Sequence, residues 1–415
     1  MNTTATVGWV PEPDGRGTAG LLTSCIFTIF LSTWTAYHPD MKRSWSAAFW
    51  DKVLITIGTI IAPECIIYLA MCDWNRVKKL QFIFRSIQVE PLTKCESPKA
   101  HHSLFGHVMS RTDSKTDPND TEKCNSRHSS TKYDQAGITI SPSRPLTITH
   151  AHFLRMGGFC VRSTDGEILQ AHHKWDNNRI SVKSVCILRA ANVSITSVPV
   201  SDIKDKSKSD GISKLFALGQ ISWLFLHLIA RTASSMPVST LELFTASNGA
   251  CAVVSYLFWW SKPKDVAQPL VLQSAFTAAE ILKRQQSFLD ASPDLAYPRK
   301  YRYARWTVEA IGSWLANLEI LGWNFPFPTY TEQIAWRSLS IFLPIWALSI
   351  WQIGEWDEKL KFSLKPKIRK KIVPIALTIY GTVRLYFIVE IFTGLRETPA
   401  ALYGTVDWTQ YILHV

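Results

Sequence analysis

The sequence predicts an all-α integral membrane protein: six to seven transmembrane helices with a large polar, partly disordered loop that holds a few strands. Three observations predict it. Apolar runs of bilayer-crossing length, about 17–25 residues, recur along a chain of 415 residues that is 47% hydrophobic. Mean hydropathy is nevertheless near zero, because polar stretches crowded with Lys, Arg and Ser separate those runs. Seventeen Trp are present. Many stand at run ends (Trp45, Trp50, Trp74, Trp259, Trp260, Trp306, Trp336, Trp356), where an amphipathic ring suits a lipid headgroup layer.

Residues 1–19 form a polar N-terminal segment whose "GWVPEPDGRGTAG" is turn-rich and unlike a cleavable signal, so the first apolar run is expected to stay in the mature chain. Residues 20–72 hold the first two helices, as runs 20–38 and 53–72. The extramembrane loop 73–212 follows, too polar to enter lipid. Its part at about 90–145 lacks apolar periodicity and is expected to be disordered. Its part at 146–200 alternates (LTITHAHFLRMGGFCVRS, ISVKSVCILRAANVSITSV) and predicts a few strands in a small module. Helices three and four lie in 213–260, as runs 213–230 and 240–260. The connection 261–305 includes "TAAEILKRQQSFL", an amphipathic helix. Residues 306–395 hold the remaining helices, a weak run at 306–324 and stronger ones at 334–353 and 372–395, with a basic loop at 355–371. A tail, 396–415, closes the chain.

The net charge of +12 does not read as a nucleic-acid surface, because the basic residues lie beside apolar runs instead of forming one polar face. Its expected partners are the bilayer and anionic inner-leaflet lipids, contacted by Lys359, Lys361, Lys365, Lys367, Arg369, Lys370 and Lys371. Seven spans with a cytoplasmic N-terminus would leave only Lys42, Arg43, Lys52, Arg231, Arg337 and Arg396 on outside flanks. Six spans with the N-terminus outside, dropping 306–324, nearly balance the charge. They would expose to glycosylation the sequons at Asn2, Asn119 and Asn192. The charge bias selects seven. The expected location is an integral membrane, endoplasmic reticulum or plasma membrane. The eight cysteines form no CxxC pair and no readable disulfide framework.

Several stretches, in order from residue 8 to 415, resemble one family: "GWVPEPDGRGTAGLLTSCIFTIFLSTWTAYH", "APECIIYLA", "HFLRMGGF", "DIKDKSKSDGISKLFALGQISWLFLHLIAR", "MPVSTLEL", "YLFWWSKPKDV", "LGWNFPFPTYTEQIAWRSLS" and "YGTVRLYFIVEIFTGLRETPAALYGTVDWTQYILHV". The chain is similar to a large group of uncharacterised multi-pass membrane proteins of filamentous and mushroom-forming fungi. That resemblance implies membership and no settled activity, although many members neighbour specialised-metabolite genes. Where the family usually reads His-Cys before its "W-x-F-x-FP" signature, this chain has Glu319-Ile320.

The candidates for chemistry are acids and a base inside apolar runs. A charge at mid-bilayer costs about 2.5–3.5 kcal/mol and faces other helices or a cavity. Glu64, beside the helix-kinking Pro63, and Arg384, deep in the last span, are such residues, and Arg384 is expected to pair with Glu64 or Glu319. Glu390, six residues after Arg384, falls off its helical face. The pair reads either as a packing device or as a functional polar pocket. His227 reads as a packing residue, Glu242 as a charge at a helix N-terminus, and "MGGF" (156–159) as a turn. His101, His102, His172, His173, Cys95, Cys124, His150 and His152 lack zinc-site spacing, so no metal is expected. Phosphate-loop, dinucleotide, HExxH, GxSxG and DDxxD motifs are missing, and no cofactor is expected. Two functional expectations follow. One is a membrane-embedded accessory or cyclase-type enzyme acting on a lipophilic metabolite, with Glu64 donating a proton. The other is a receptor, transport-accessory or scaffold protein whose loop recruits partners, with Ser and Thr beside basic residues in 100–131 suiting kinases.

Overall fold

The computed structural model describes residues 6–12, 16–41, 44–89, 146–170, 180–207, 210–266, 268–291, 300–356 and 366–406. Its helices are α1 (Thr18–Ala36), α2 (Trp45–Ile61), α3 (Glu64–Val89), α4 (Ile148–Arg155), α5 (Ile180–Ala190), α6 (Val200–Asp205), α7 (Asp210–Ala233), α8 (Thr240–Trp259), α9 (Ala278–Ala291), α10 (Lys300–Leu315), α11 (Tyr330–Trp356) and α12 (Pro366–Thr393). The strands are β1 (Thr6–Val7), β2 (Phe159–Arg162), β3 (Ile168–Gln170), β4 (Leu270–Gln273) and β5 (Thr398–Pro399). Four stretches, Thr18–Ala36, Gly211–Ala233, Thr240–Trp259 and Lys371–Arg396, are long and apolar enough to cross a membrane.

The helical bundle is apolar outside as well as inside. On α12, Tyr380, Arg384, Phe387 and Ile391 share a buried face at helical spacing, while Ile375, Leu377, Leu385 and Val389 point outward exposed. Helix α8 is the centre. Its small residues Ala246, Ser247, Cys251, Ala252 and Ser255 are buried, which lets neighbouring backbones approach closely. It runs parallel to α1: Arg16 meets Glu242 at one end, and Thr35 meets Tyr256 near the other. Helix α7 runs the opposite way, with Gln220 donating to Thr28 Oγ1 at 3.0 Å.

At one end of the bundle sits a cap. Its core joins Val77, Leu80 and Ile83 of α3 to Phe153 and Leu154 of α4, Phe159 and Val161 of β2, Val185 and Leu188 of α5, and Ile281 of α9. Strand β2 lies between β3, antiparallel, and β4, parallel. At the other end β1 pairs antiparallel with β5, so both ends of the described chain lie on one face. There Arg231 donates to the carbonyls of Leu402 and Gly404, each at 2.8 Å.

The run 53–72, expected as one span, is two helices. Pro63 cannot continue α2, and residues 62–63 are not helical. Near the start of α2, Asp51 accepts from Tyr37 at 3.0 Å and Lys52 meets Asp265 at 3.4 Å. Ten residues into α3, Asp73 meets Lys262 at 2.8 Å. Both points belong to the cap end. At 1.5 Å per residue, α2 descends about 15 Å from there and α3 climbs back about as far; the pair is a hairpin dipping halfway into the bundle. The weak run 306–324 also differs from one span: α10 ends at Leu315, and a 3-10 segment, Leu318–Asn324, follows. Asn317 has non-helical backbone there and donates its side-chain amide to Ser313 O, an alternative to the helical bond.

The expected strands in 146–200 reduce to β2 and β3. "ISVKSVCILRA" is helix α5, and Val185, Cys186, Ile187 and Leu188 are all buried. Consecutive buried residues show no alternation between faces, so this stretch carries no helical period to read. "MGGF" is the turn between α4 and β2. Gly157 has φ 89°, and a Cβ on Gly158 would lie 2.6 Å from the Phe153 ring. Of the tryptophans expected at the lipid boundary, Trp45, Trp50 and Trp260 are exposed, whereas Trp259 and Trp336 are core residues. The expected disorder at 90–145 and the sequons Asn2 and Asn119 lie outside the described residues, as do Lys359, Lys361 and Lys365.

Cap and bundle meet at a charge network. Lys262 donates to Asp40 (2.9 Å), Asp73 (2.8 Å) and His38 O (2.7 Å). Arg155 reaches Asp40 at 3.0 Å and Asp73 at 2.6 Å. Beside it, both ring nitrogens of His152 are buried without a partner. Burial first, then the Lys262 and Arg155 cations, hold its pKa well below the usual 6.5. The unfolded chain therefore takes up this proton first. Stability should fall as pH drops below about 6.5, by up to about 1.4 kcal/mol per unit, until the folded-state value is reached. Melting midpoints recorded from pH 7.5 to 5 should fall more for the wild type than for His152→Leu.

Candidate functional site

The three sequence-predicted residues meet at mid-depth in the bundle. Glu64 opens α3, where a helix N-terminus favours negative charge. Its Oε2 accepts from Arg384 NH2 at 3.0 Å, and its Oε1 accepts from Tyr380. Arg384 also donates from Nε to Tyr380 at 2.8 Å and from NH2 to Ala316 O at 3.0 Å. Glu319 approaches Arg384 NH1 at 3.6 Å without a hydrogen bond. Glu64, Glu319 and Arg384 are respectively 5%, 1% and 0% exposed, so water screens none of them. Arg384 thus bonds both interrupted elements, α3 at its first residue and the α10 break at Ala316. Glu390 is elsewhere on α12, buried with Oε1 unpartnered.

A second polar grouping lines a cleft of about 430 Å³ between α1 and α7, toward the end where β1 and β5 pair. Its apolar wall includes Leu21, Trp223 and Leu224, its polar wall Ser24, Thr28 and Gln220, and its head Arg16, His227 and Glu242. Glu242 is fixed by a capping box: its Oε2 accepts from Ser239 N and Oγ, both at 2.9 Å. Its Oε1 binds Arg16 and lies 3.8 Å from His227 Nδ1. Arg16 NH1 is buried with no partner. Glu12 caps α1 by accepting from Gly20 N at 2.8 Å, which holds the Arg16 turn against the helix.

Sequence reasoning read His227 and Glu242 singly and did not name Arg16. The arginine stands in "GRG" just before an apolar run, but its partner is 226 residues away, and no local spacing announces such a pair. Among the described residues, no group of three or more His, Cys, Asp or Glu side chains is arranged to hold a metal ion. His150 is engaged with Thr147 and with Val198 O at 2.8 Å. The other expected His and Cys candidates, residues 95, 101, 102, 124, 172 and 173, lie outside the described residues.

The chain belongs to a family of unknown function (DUF8562), whose sequence profile matches residues 1–92 and 119–309. The match takes in Glu64 and the cleft residues Arg16, His227 and Glu242; Glu319 and Arg384 lie beyond it. No curated protein and no solved structure matches the chain.

Removing one partner of a buried pair leaves an uncompensated charge and costs about 3–5 kcal/mol, whereas replacing both with apolar groups is far milder. Arg384→Leu should therefore lower the melting midpoint in detergent sharply. The double variant Arg384→Leu/Glu64→Leu should be more stable than that single one, which melting curves of both variants check.

Proposed function

We propose that the chain is a multi-pass membrane protein that takes a lipophilic, carbonyl-bearing metabolite from the bilayer into the α1/α7 cleft. The observation that carries this reading is the cleft itself. A volume of about 430 Å³ suits one drug-sized molecule, and Trp223, 53% exposed, flanks it on the outward side. Glu242 already neutralises Arg16, so the head of the site favours an uncharged acceptor over an anion. Arg16 NH1 is the donor with capacity to spare, and His227 stands beside it for hydrogen bonding or proton exchange. Glu64 has both oxygens occupied and serves here as a paired carboxylate, not as an acid donor.

The protein reconstituted in lipid nanodiscs and incubated with a lipophilic extract should retain one compound detectable by mass spectrometry. Arg16→Ala and His227→Ala should each cut that retention about tenfold, while the exposed-site variant Leu226→Ala should not. Equal retention by all three at unchanged melting midpoints would overturn the reading.

The membrane arrangement that fits best has six crossings: α1, α7, α8, the interrupted α10 with its 3-10 segment, α11 and α12. The α2–α3 hairpin enters and returns. Both termini then face the side away from the cap, whose flanks carry only Arg16, Arg231, Arg337 and Arg396. The cap side holds Lys52, Arg76, Lys78, Lys79, Lys262 and Lys264, among others, and is cytosolic by the charge rule. Asn2 would then be the lumenal sequon, with Asn119 and Asn192 in the cytosol. Endoglycosidase treatment should produce a mobility shift that Asn2→Gln abolishes; a shift mapping to Asn192 would reverse the orientation.

A further inference from the structure

The mid-depth cluster contains one more acid than base. Two carboxyl groups, Glu64 and Glu319, share one guanidinium, and Arg384 gives its hydrogen bonds to Glu64, Tyr380 and Ala316 O. None goes to Glu319. Both carboxyl oxygens of Glu319 are buried without a partner, and so are Asn248 Oδ1 and Asn317 Oδ1. The two amides have spent a donor on main-chain carbonyls: Asn248 on Phe244 O at 3.0 Å and Asn317 on Ser313 O. Their oxygens remain. Ser247 of α8 bonds Leu315 O at 2.9 Å at the end of α10, so α8 packs against the same helix break.

An ionised Glu319 in this place would be a buried anion with no side chain hydrogen-bonded to it and its nearest cation, Arg384 NH1, 3.6 Å away. Such a group either acquires a partner or gives up its charge. A proton resolves both problems at once, since a protonated carboxyl is neutral and donates one hydrogen bond. The ionisable neighbours around it are Glu64 and Cys65 from α3, Cys251 from α8, and Tyr380 and Arg384 from α12. From α11, Trp336 Nε1 donates to the main-chain oxygen of Glu319 at 3.0 Å. Arg384 is the sole cation in that set, and Glu64 already holds it.

We propose that Glu319 is a proton-binding site inside the membrane, so that the Glu64–Glu319–Arg384 cluster carries one exchangeable proton at neutral pH. The proton is taken from water and returned to it, and no other reactant is required. Arg384 NH1, which makes no hydrogen bond and lies 3.6 Å from Glu319, gives the proton a second state. If it moves to Glu64, the guanidinium turns to Glu319. Proton position is thereby tied to which carboxylate Arg384 holds, Glu64 at the start of α3 or Glu319 in the 3-10 segment after α10. This inference stands independently of any ligand in the α1/α7 cleft.

Infrared spectra of the full-length protein in sodium-free nanodiscs at neutral pH test it through the C=O stretch of protonated carboxylic acids. The wild type should show a carboxylic band that shifts in heavy water. Glu319→Gln should remove one band, and Glu64→Gln should also remove one, because a single acid then faces a single base. Arg384→Leu should add one. Absence of the band from the wild type at neutral pH overturns the proposal without any variant. So does an undiminished band in both Gln variants. A band that disappears when sodium is restored would mean that a metal cation occupies the site in place of the proton, and would overturn it equally.

Discussion

One guanidinium at mid-depth organises the bundle. A buried cation must be surrounded by acceptors, and those of Arg384 come from three separate parts of the chain: its own helix, the first residue of α3, and the main chain where α10 stops. Both interruptions coincide with it. Backbone freed by a broken helix in a buried place needs other partners, and Arg384 donates directly to Ala316 O. The requirement runs both ways, since an unbroken α10 would offer no such carbonyl and the charge would be stranded.

Helix α3 carries this constraint outward. It begins in the charged cluster, passes the Lys262–Asp73 pair at the bundle's rim, and ends among the core residues of the cap. Cap and bundle are therefore joined by a continuous helix as well as by surface contact. The rim network sets three cations, Lys262, Arg155 and Arg76, against two carboxylates, the reverse of the mid-depth cluster. That difference separates a structural joint from a site with a proton to exchange.

Much of this was legible in the sequence and some was not. Long apolar runs pointed to α1, α7, α8, α11 and α12 because the length and hydropathy of a run are one-dimensional properties. Glu64 and Arg384 stood out because a charge among isoleucines demands a partner, and the demand itself names the few candidates. The hairpin of α2 and α3 escaped, since a proline among apolar residues reads equally as a kink or as a reversal; only contacts made at 51, 52 and 73 tell them apart. Helix α5 escaped because its consecutive buried residues, Val185 to Leu188, show no alternation between faces. Arg16 escaped because its meaning depends on a carboxylate two hundred residues on. The asymmetry of the cluster, two acids to one base, was countable from the sequence once all three residues were known to meet, which the sequence did not say.

The pairing of β1 with β5 bears on biogenesis. Thr6 lies 391 residues from Glu397, to which it donates, so the first strand leaves the ribosome long before its partner exists. Until translation reaches residue 406, Arg231 also lacks the carbonyls of Leu402 and Gly404. A nascent chain must therefore form every helix of the bundle while this seam is still open. Closure of that end is the last step the order of synthesis allows.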